Sequence, residues 1–191
     1  MLLLTAGTAA TPTSAASLGG PYCAIGADPM VKGQAQPVDV DCFATQEAVW
    51  EFVTGTPLPA DGAPSRSDVS EYNASVLDSS SVAAVGGADS VSVAAAQVVL
   101  GAEFQDINLT GPNLYLYASS GSGCGSGATY GFPNLSNWGW NDRVSSATAY
   151  AGCRSQHYAD DVYRGASVTC SPTCWSMPTL NDAATSIVFR P

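Results

Sequence analysis

Positive charge is what this 191-residue chain has least of: one lysine and five arginines stand against sixteen acidic residues, for a net charge of −10. Nucleic-acid backbones need a basic face, so this balance argues against nucleic acid as a partner. It argues equally against an anionic membrane surface. Histidine is almost absent, with His157 alone. There is no glycine-rich phosphate loop, no Gly-x-Ser-x-Gly elbow and no pair of histidine ligands, so enzymatic chemistry has nothing to stand on. EF-hand loops and tandem nonapeptide calcium repeats are missing too.

The N-terminus reads as the end of a secretory signal. Met1-Leu-Leu-Leu opens an apolar, alanine-rich run, and Ser14-Ala15-Ala16 supplies the small residues of a cleavage site, so residues 1–16 are excluded from the folded protein. A basic n-region is missing, so the true start is expected upstream. As an anchor the segment is too short and too polar after Leu4. Six cysteines fit an extracellular compartment: Cys23, Cys42, Cys124, Cys153, Cys170 and Cys174. Six allow fifteen pairings; sequence locality favours Cys23–Cys42, Cys124–Cys153 and Cys170–Cys174. A zinc site is the rival, but Cys-x₂-Cys spacing is absent.

Residues 17–60 read as a small disulfide-closed N-terminal unit. It holds one short helix from Thr45 to Val53, with Thr45 as N-cap, Ala48, Val49 and Phe52 on one face, and Gly55 as the stop. Residues 61–96 are rich in Ser, Ala, Gly and Asp, and 65–92 is expected to be a loose connector. Val82–Val85 and Val91–Val93 are candidates for an edge strand. From residue 97 to 191 the pattern changes to short strands punctuated by Gly, Pro, Asn and Asp, which predicts a β-sandwich.

Two hexapeptides stand out in that half: Asn141-Asp142-Arg143-Val144-Ser145-Ser146 and Asn181-Asp182-Ala183-Ala184-Thr185-Ser186, 40 residues apart. Each offers a carboxylate, backbone carbonyls and a hydroxyl within six residues, the oxygen set that a hard cation such as Ca²⁺ takes. Upstream of each lies a second shared frame. Tyr158, Tyr163, Gly165 and Ser167 form one copy; Phe104, Leu109 and Gly111 repeat it 54 residues earlier, with Leu109 in a ring slot. The frame reads as a folded hairpin whose glycine takes a conformation that a Cβ would penalise. Hairpin, loop and strand, twice over, imply duplicated Greek keys.

This combination resembles the βγ-crystallin superfamily, and in particular its microbial secreted members, over about half the chain. The resemblance implies a mostly β fold in which two Greek keys form one sandwich and the loops make two crossed Ca²⁺ sites. Carried onto this sequence, Asp142, the Arg143 carbonyl and Thr185 would hold one ion, and Asp182, the Ala183 carbonyl and Ser145 the other. Carbonyls near Gln105 and Ala159 would complete the shells. With about one carboxylate per ion, the expected dissociation constant is about 10⁻⁵–10⁻³ M. The implied protein is a secreted, non-enzymatic, monomeric calcium binder.

Other readings carry their own tests. Both loops are also good turn chemistry without any metal. Relatives by fold include metallopeptidase inhibitors and killer-type toxins, so an extracellular peptidase is the alternative partner, with the Cys124 loop as the candidate insert. Trp138 and Trp140 could bind a cell-wall component, provided both rings are coplanar and exposed. Asp160-Asp161 is expected to be solvated. Asn73, Asn108 and Asn134 head glycosylation sequons.

Overall fold

Two hairpins set the architecture of the second half. The first joins β3 (Val98–Asp106) to β4 (Thr110–Ala118), the second β7 (Arg154–Asp160) to β8 (Arg164–Cys170). Their turns are superimposable in backbone terms. Asn108, Leu109 and Gly111 have φ of 62°, 59° and 78°; Val162, Tyr163 and Gly165 have 52°, 61° and 77°. Leu109 therefore fills its slot without changing the turn. Glycine is required twice over at the end of each: a Cβ on Gly111 would lie 2.3 Å from Asp106 Oδ2, and one on Gly165 2.6 Å from Asp160 Oδ2.

The computed structural model describes residues 20–60, 62–83 and 97–191. The signal segment and Val91–Val93 lie outside them. The remaining elements are β1 (Tyr22–Val31), β2 (Gln34–Phe43), α1 (Gln46–Thr54), α2 (Arg66–Ala83), β5 (Tyr130–Phe132), β6 (Ser146–Ala149), β9 (Thr173–Cys174) and β10 (Ser186–Arg190). Two sheets form, ordered β2-β1-β4-β3-β6-β9 and β5-β10-β7-β8. The exchange between them is reciprocal. β9 of the second key closes the sheet of the first, and β5 of the first closes the sheet of the second. Two interlocked Greek keys thus make one sandwich.

The N-terminal hairpin does not stand apart from it. β1 runs parallel to β4, with Cys23 opposite Leu114 and Ala27 opposite Ala118, so the hairpin widens the sheet. Cys23 and Cys42 face each other across β1 and β2 and are bonded, as are Cys124 with Cys153 and Cys170 with Cys174.

Both faces of the larger sheet are covered. Alternation along β4 sends Leu114 and Leu116 into the sandwich, with Phe132, Trp140, Ile187 and Phe189. Tyr115 and Tyr117 point the other way, into a second core with Val49, Trp50 and Val53 of α1 and Val69 of α2. Thr45 caps α1 by accepting from the Ala48 N–H at 3.3 Å, and Gly55 ends it in the left-handed conformation. The buried stripe keeps Val49 as expected, but Trp50 and Val53 complete it, while Phe52 is 38% exposed. Trp50 wins the inner position because its ring meets Tyr115 at 6.0 Å and its indole N–H reaches the Pro57 carbonyl at 3.2 Å.

Over residues 66–83 the expected connector is corrected by α2, which also takes the start of the expected 82–85 strand; residues 84–92 lie outside the described ones. Ser65 and Asp68 form a capping box, the Ser65 N–H donating to Asp68 Oδ2 at 2.6 Å and the Asp68 N–H to Ser65 Oγ at 3.3 Å. Polar side chains then dock the helix. Arg66 donates to Thr148 Oγ1 at 2.9 Å and the Ala149 carbonyl at 3.3 Å, and lies over the Tyr150 ring. The Asn73 amide pairs with both backbone groups of Val99, at 2.8 and 2.9 Å. Asn73 is buried, so its sequon offers no free amide in the folded chain.

Candidate cation-binding arches

Each hexapeptide folds as an arch whose foot is a buried apolar residue, Trp140 before one and Leu180 before the other. The asparagine then clips its neighbour: Asn141 Nδ2 donates to Asp142 Oδ2 at 2.6 Å, and Asn181 Nδ2 to Asp182 Oδ2 at 2.9 Å. Asp142 and Asp182 sit at φ of 55° and 51°, a left-handed conformation that aspartate tolerates better than most side chains. Both carboxylates are exposed at the surface.

The arches exchange backbone bonds. The Asp142 N–H donates to the Ala184 carbonyl at 3.2 Å, and the Asp182 N–H to the Val144 carbonyl at 3.1 Å. The second residue of each arch thus bonds to the fourth of the other, a reciprocal exchange. The fifth residues tie the arches to the hairpins, the Ser145 N–H donating to the Phe104 carbonyl at 2.9 Å and the Thr185 N–H to the Tyr158 carbonyl at 2.8 Å. Sixth residues latch the turns: Ser146 Oγ donates to the Asp106 carbonyl at 2.6 Å, and Ser186 Oγ to the Asp160 carbonyl at 2.7 Å. This role of Ser146 and Ser186 went unassigned in the sequence, although their repetition was visible.

Of the six residues singled out as ligands, the structure brings Ser145 and Asp182 into contact across the seam between the arches. Ser145 Oγ donates to Asp182 Oδ1 at 2.9 Å, so the hydroxyl of one arch already meets the carboxylate of the other. The opposite crossing is looser. Thr185 lines an open cleft of about 460 Å³ with Asn141, Ala159, Asp160 and Arg164, but among the described residues it makes no counterpart bond to Asp142. Ala183 is half-buried beside Asp182. The Arg143 head is drawn over the Trp140 ring and donates to the Gly139 carbonyl at 2.9 Å. It also donates to the Gln105 amide oxygen, at 3.1 Å from Nε and 2.9 Å from Nη2.

Among the described residues no three His, Cys, Asp or Glu gather in one place, so any cation here would rely on hydroxyl and backbone oxygens besides its one acid. Hydroxyl and backbone oxygens are the donor type that Ca²⁺ takes. All six cysteines are in disulfides. Asp160 is exposed, and Asp161, 43% exposed at its side chain, is solvated as expected while also pairing with Arg164 beside the cleft.

The paired-tryptophan platform is not formed. Trp140 is buried in the core, and Trp138 lies half-buried, edge-on to Phe132 with ring centroids 6.3 Å apart. In the Cys124 loop, Cys124 is buried and the Gly125 N–H donates to the Ala151 carbonyl at 3.1 Å, while residues 120–122 and 125–127 are exposed.

Solved structures similar to this chain are crystallin domains. One from Clostridium beijerinckii has 20% identity, covers 48% of this chain and 97% of its own, and has a TM-score of 0.38. One from Flavobacterium johnsoniae has 26% identity, covers 47% and 92%, and scores 0.34. A βγ-crystallin from Ciona intestinalis has 21% identity, covers 46% and 94%, and scores 0.36. No protein-family model matches the chain, and no curated protein does. Its paired hairpins, exchanged strands and facing arches make the second half of this chain a sandwich of two Greek keys with a βγ-crystallin-like fold.

Proposed function

We propose that the chain is a secreted, non-enzymatic protein whose two arches bind Ca²⁺ and are stabilised by it. One ion takes Asp142, the Arg143 carbonyl and Thr185; the other takes Asp182, the Ala183 carbonyl and Ser145. The observation that carries this reading is the reach of Ser145 to Asp182 across the seam, 2.9 Å between oxygens that a cation would share. When bound, the ion supplies positive charge between groups that otherwise repel or satisfy one another. Three disulfides support an oxidising, extracellular setting.

The mechanism is mass action. A ligand held by the native arches and not by the unfolded chain adds about 2.7 kcal/mol at one hundred times its dissociation constant. For a protein of this size that is about 5–10 °C in the unfolding midpoint. Thermal unfolding with about 10 mM CaCl₂ against chelator tests it. The proposal expects a rise of that order for the wild type and a smaller one for Asp142→Ala and Asp182→Ala. An unmoved wild-type midpoint defeats it.

A further inference from the structure

The outer face of the four-stranded sheet carries charge in an unexpected place. Three of the chain's six basic residues lie on its strands: Arg154 on β7, Arg164 on β8 and Arg190 on β10. Arg154 and Arg190 stand directly opposite each other in the antiparallel register, an arrangement that like charges disfavour. Arg164 has Asp161 as its partner, but among the described residues neither Arg154 nor Arg190 is in an ion pair. In a protein of net charge −10, two adjacent unpaired cations need an explanation.

Arg190 lines a cleft of about 480 Å³ between this sheet, the β1–β2 turn and the Gly127–Thr129 loop. Its walls are mainly apolar: Met30, Ala128, Val188 and the ring of Tyr163. Two of the lining residues each carry a buried polar atom without a hydrogen-bond partner, Arg190 Nε and Tyr163 Oη. The other end of the guanidinium donates to Tyr158 Oη at 3.2 Å, a neutral acceptor that leaves the charge uncompensated. Lys32 adjoins Gly33 at the rim, while the nearby Asp28 is engaged by the Ser120 hydroxyl at 2.7 Å. An apolar body closed by a few convergent polar groups, at this size, is the usual form of a small-ligand site. The tyrosine ring gains its place because residue 131 is glycine: a Cβ there would lie 2.3 Å from Tyr163 Oη.

We propose that this cleft binds a small organic anion, a carboxylate on an apolar body. The charged end meets the Arg190 guanidinium, and the body lies between Met30, Ala128, Val188 and the Tyr163 ring. A guanidinium holds a carboxylate through paired N–H donors, which gives both energy and orientation. This site is separate from the arches, and its test does not depend on calcium.

The test is a titration of the ¹⁵N-labelled full chain with phenylacetate, phenylacetamide and inorganic phosphate, followed by amide shifts. The expected result is saturable phenylacetate shifts at Ala128, Thr129, Val188 and Arg190, with the uncharged amide about tenfold weaker or worse. Arg190→Gln removes that preference. If this variant does not fold, the comparison of acid with amide on the unaltered protein decides alone. Equal binding of acid and amide, phosphate acting as strongly as phenylacetate, or no saturable shift at these residues overturns the proposal.

Discussion

Ser146 Oγ accepts the Leu109 N–H at 3.0 Å, and this bond lets a leucine occupy a turn position that its twin fills with tyrosine. Ser186 repeats it by accepting the Tyr163 N–H at 3.0 Å. Since each hydroxyl also donates to a carbonyl of the same turn, each serine satisfies two backbone groups that the left-handed turn would otherwise leave unpaired. The arches therefore hold the hairpins in shape as well as each other.

Replacing either serine by alanine should cost about 1–3 kcal/mol, because a partly buried donor and acceptor lose their partner. The two losses should be similar, which chemical denaturation of Ser146→Ala and Ser186→Ala would measure. A large effect for one and none for the other would argue against equivalent latches.

Asn73→Ala should detach α2 from β3. The Val99 N–H and carbonyl both lose their partner, a loss of about 2–4 kcal/mol. Hydrogen exchange should show faster exchange at Val99 and along α2, with little change at the arches.

How much of this was legible from the chain depends on how local each interaction is. The arches were readable because carboxylate, hydroxyl and turn formers lie within six residues of each other, and the duplication repeated them. Thr45 and Gly55 announced α1 for the same reason, and the nearest-neighbour cysteine pairs proved to be the bonded ones. α2 was missed although Ser65-x-x-Asp68 is a start signal and Val69, Tyr72, Val76 and Leu77 follow at helical spacing, because the Ser-, Ala- and Asp-rich residues around that sparse stripe read as a loose connector. That helix is docked by Arg66 and Asn73 on partners far along the chain, Thr148 and Val99. Trp50 displaced Phe52 from the inner face through Tyr115, again a distant contact. The parallel pairing of β1 with β4 has no local signature at all.

Glu103 and His157 occupy the same place in the two hairpin frames, one residue before the first ring, and meet across the sandwich at 2.7 Å with both side chains fully buried. Removing one member strands the other. Glu103→Leu should lose about 3–5 kcal/mol, and a double change to Glu103→Leu with His157→Phe should recover much of it. A double variant as unstable as the sum of its singles would show that the pair is not coupled.

Alkaline pH should destabilise the face that α1 and α2 cover. Burial pushes the Tyr150 phenol up to about 12, with Arg66 opposing it, and burial followed by Tyr150 raises Tyr115 further. Groups raised in the folded state add stability that is whole below the unfolded value of about 10 and lost as pH climbs through the folded one. Unfolding midpoints should fall between pH 10 and 12, less so in Tyr150→Phe. At the acid end, Asp68 is held below its usual range by Ser65, so the cap of α2 should weaken as pH drops through the carboxylate range.

The most direct measurement is a Ca²⁺ titration of ¹⁵N-labelled Ser145→Ala, read at the amides of both arches. A crossed site predicts that saturation at Asp182 and Ala183 is lost or weakened about tenfold or more, while Asp142 and Arg143 still titrate as in the wild type. Loss confined to Asp142 and Arg143, the arch that carries Ser145, would contradict the exchange of ligands across the seam.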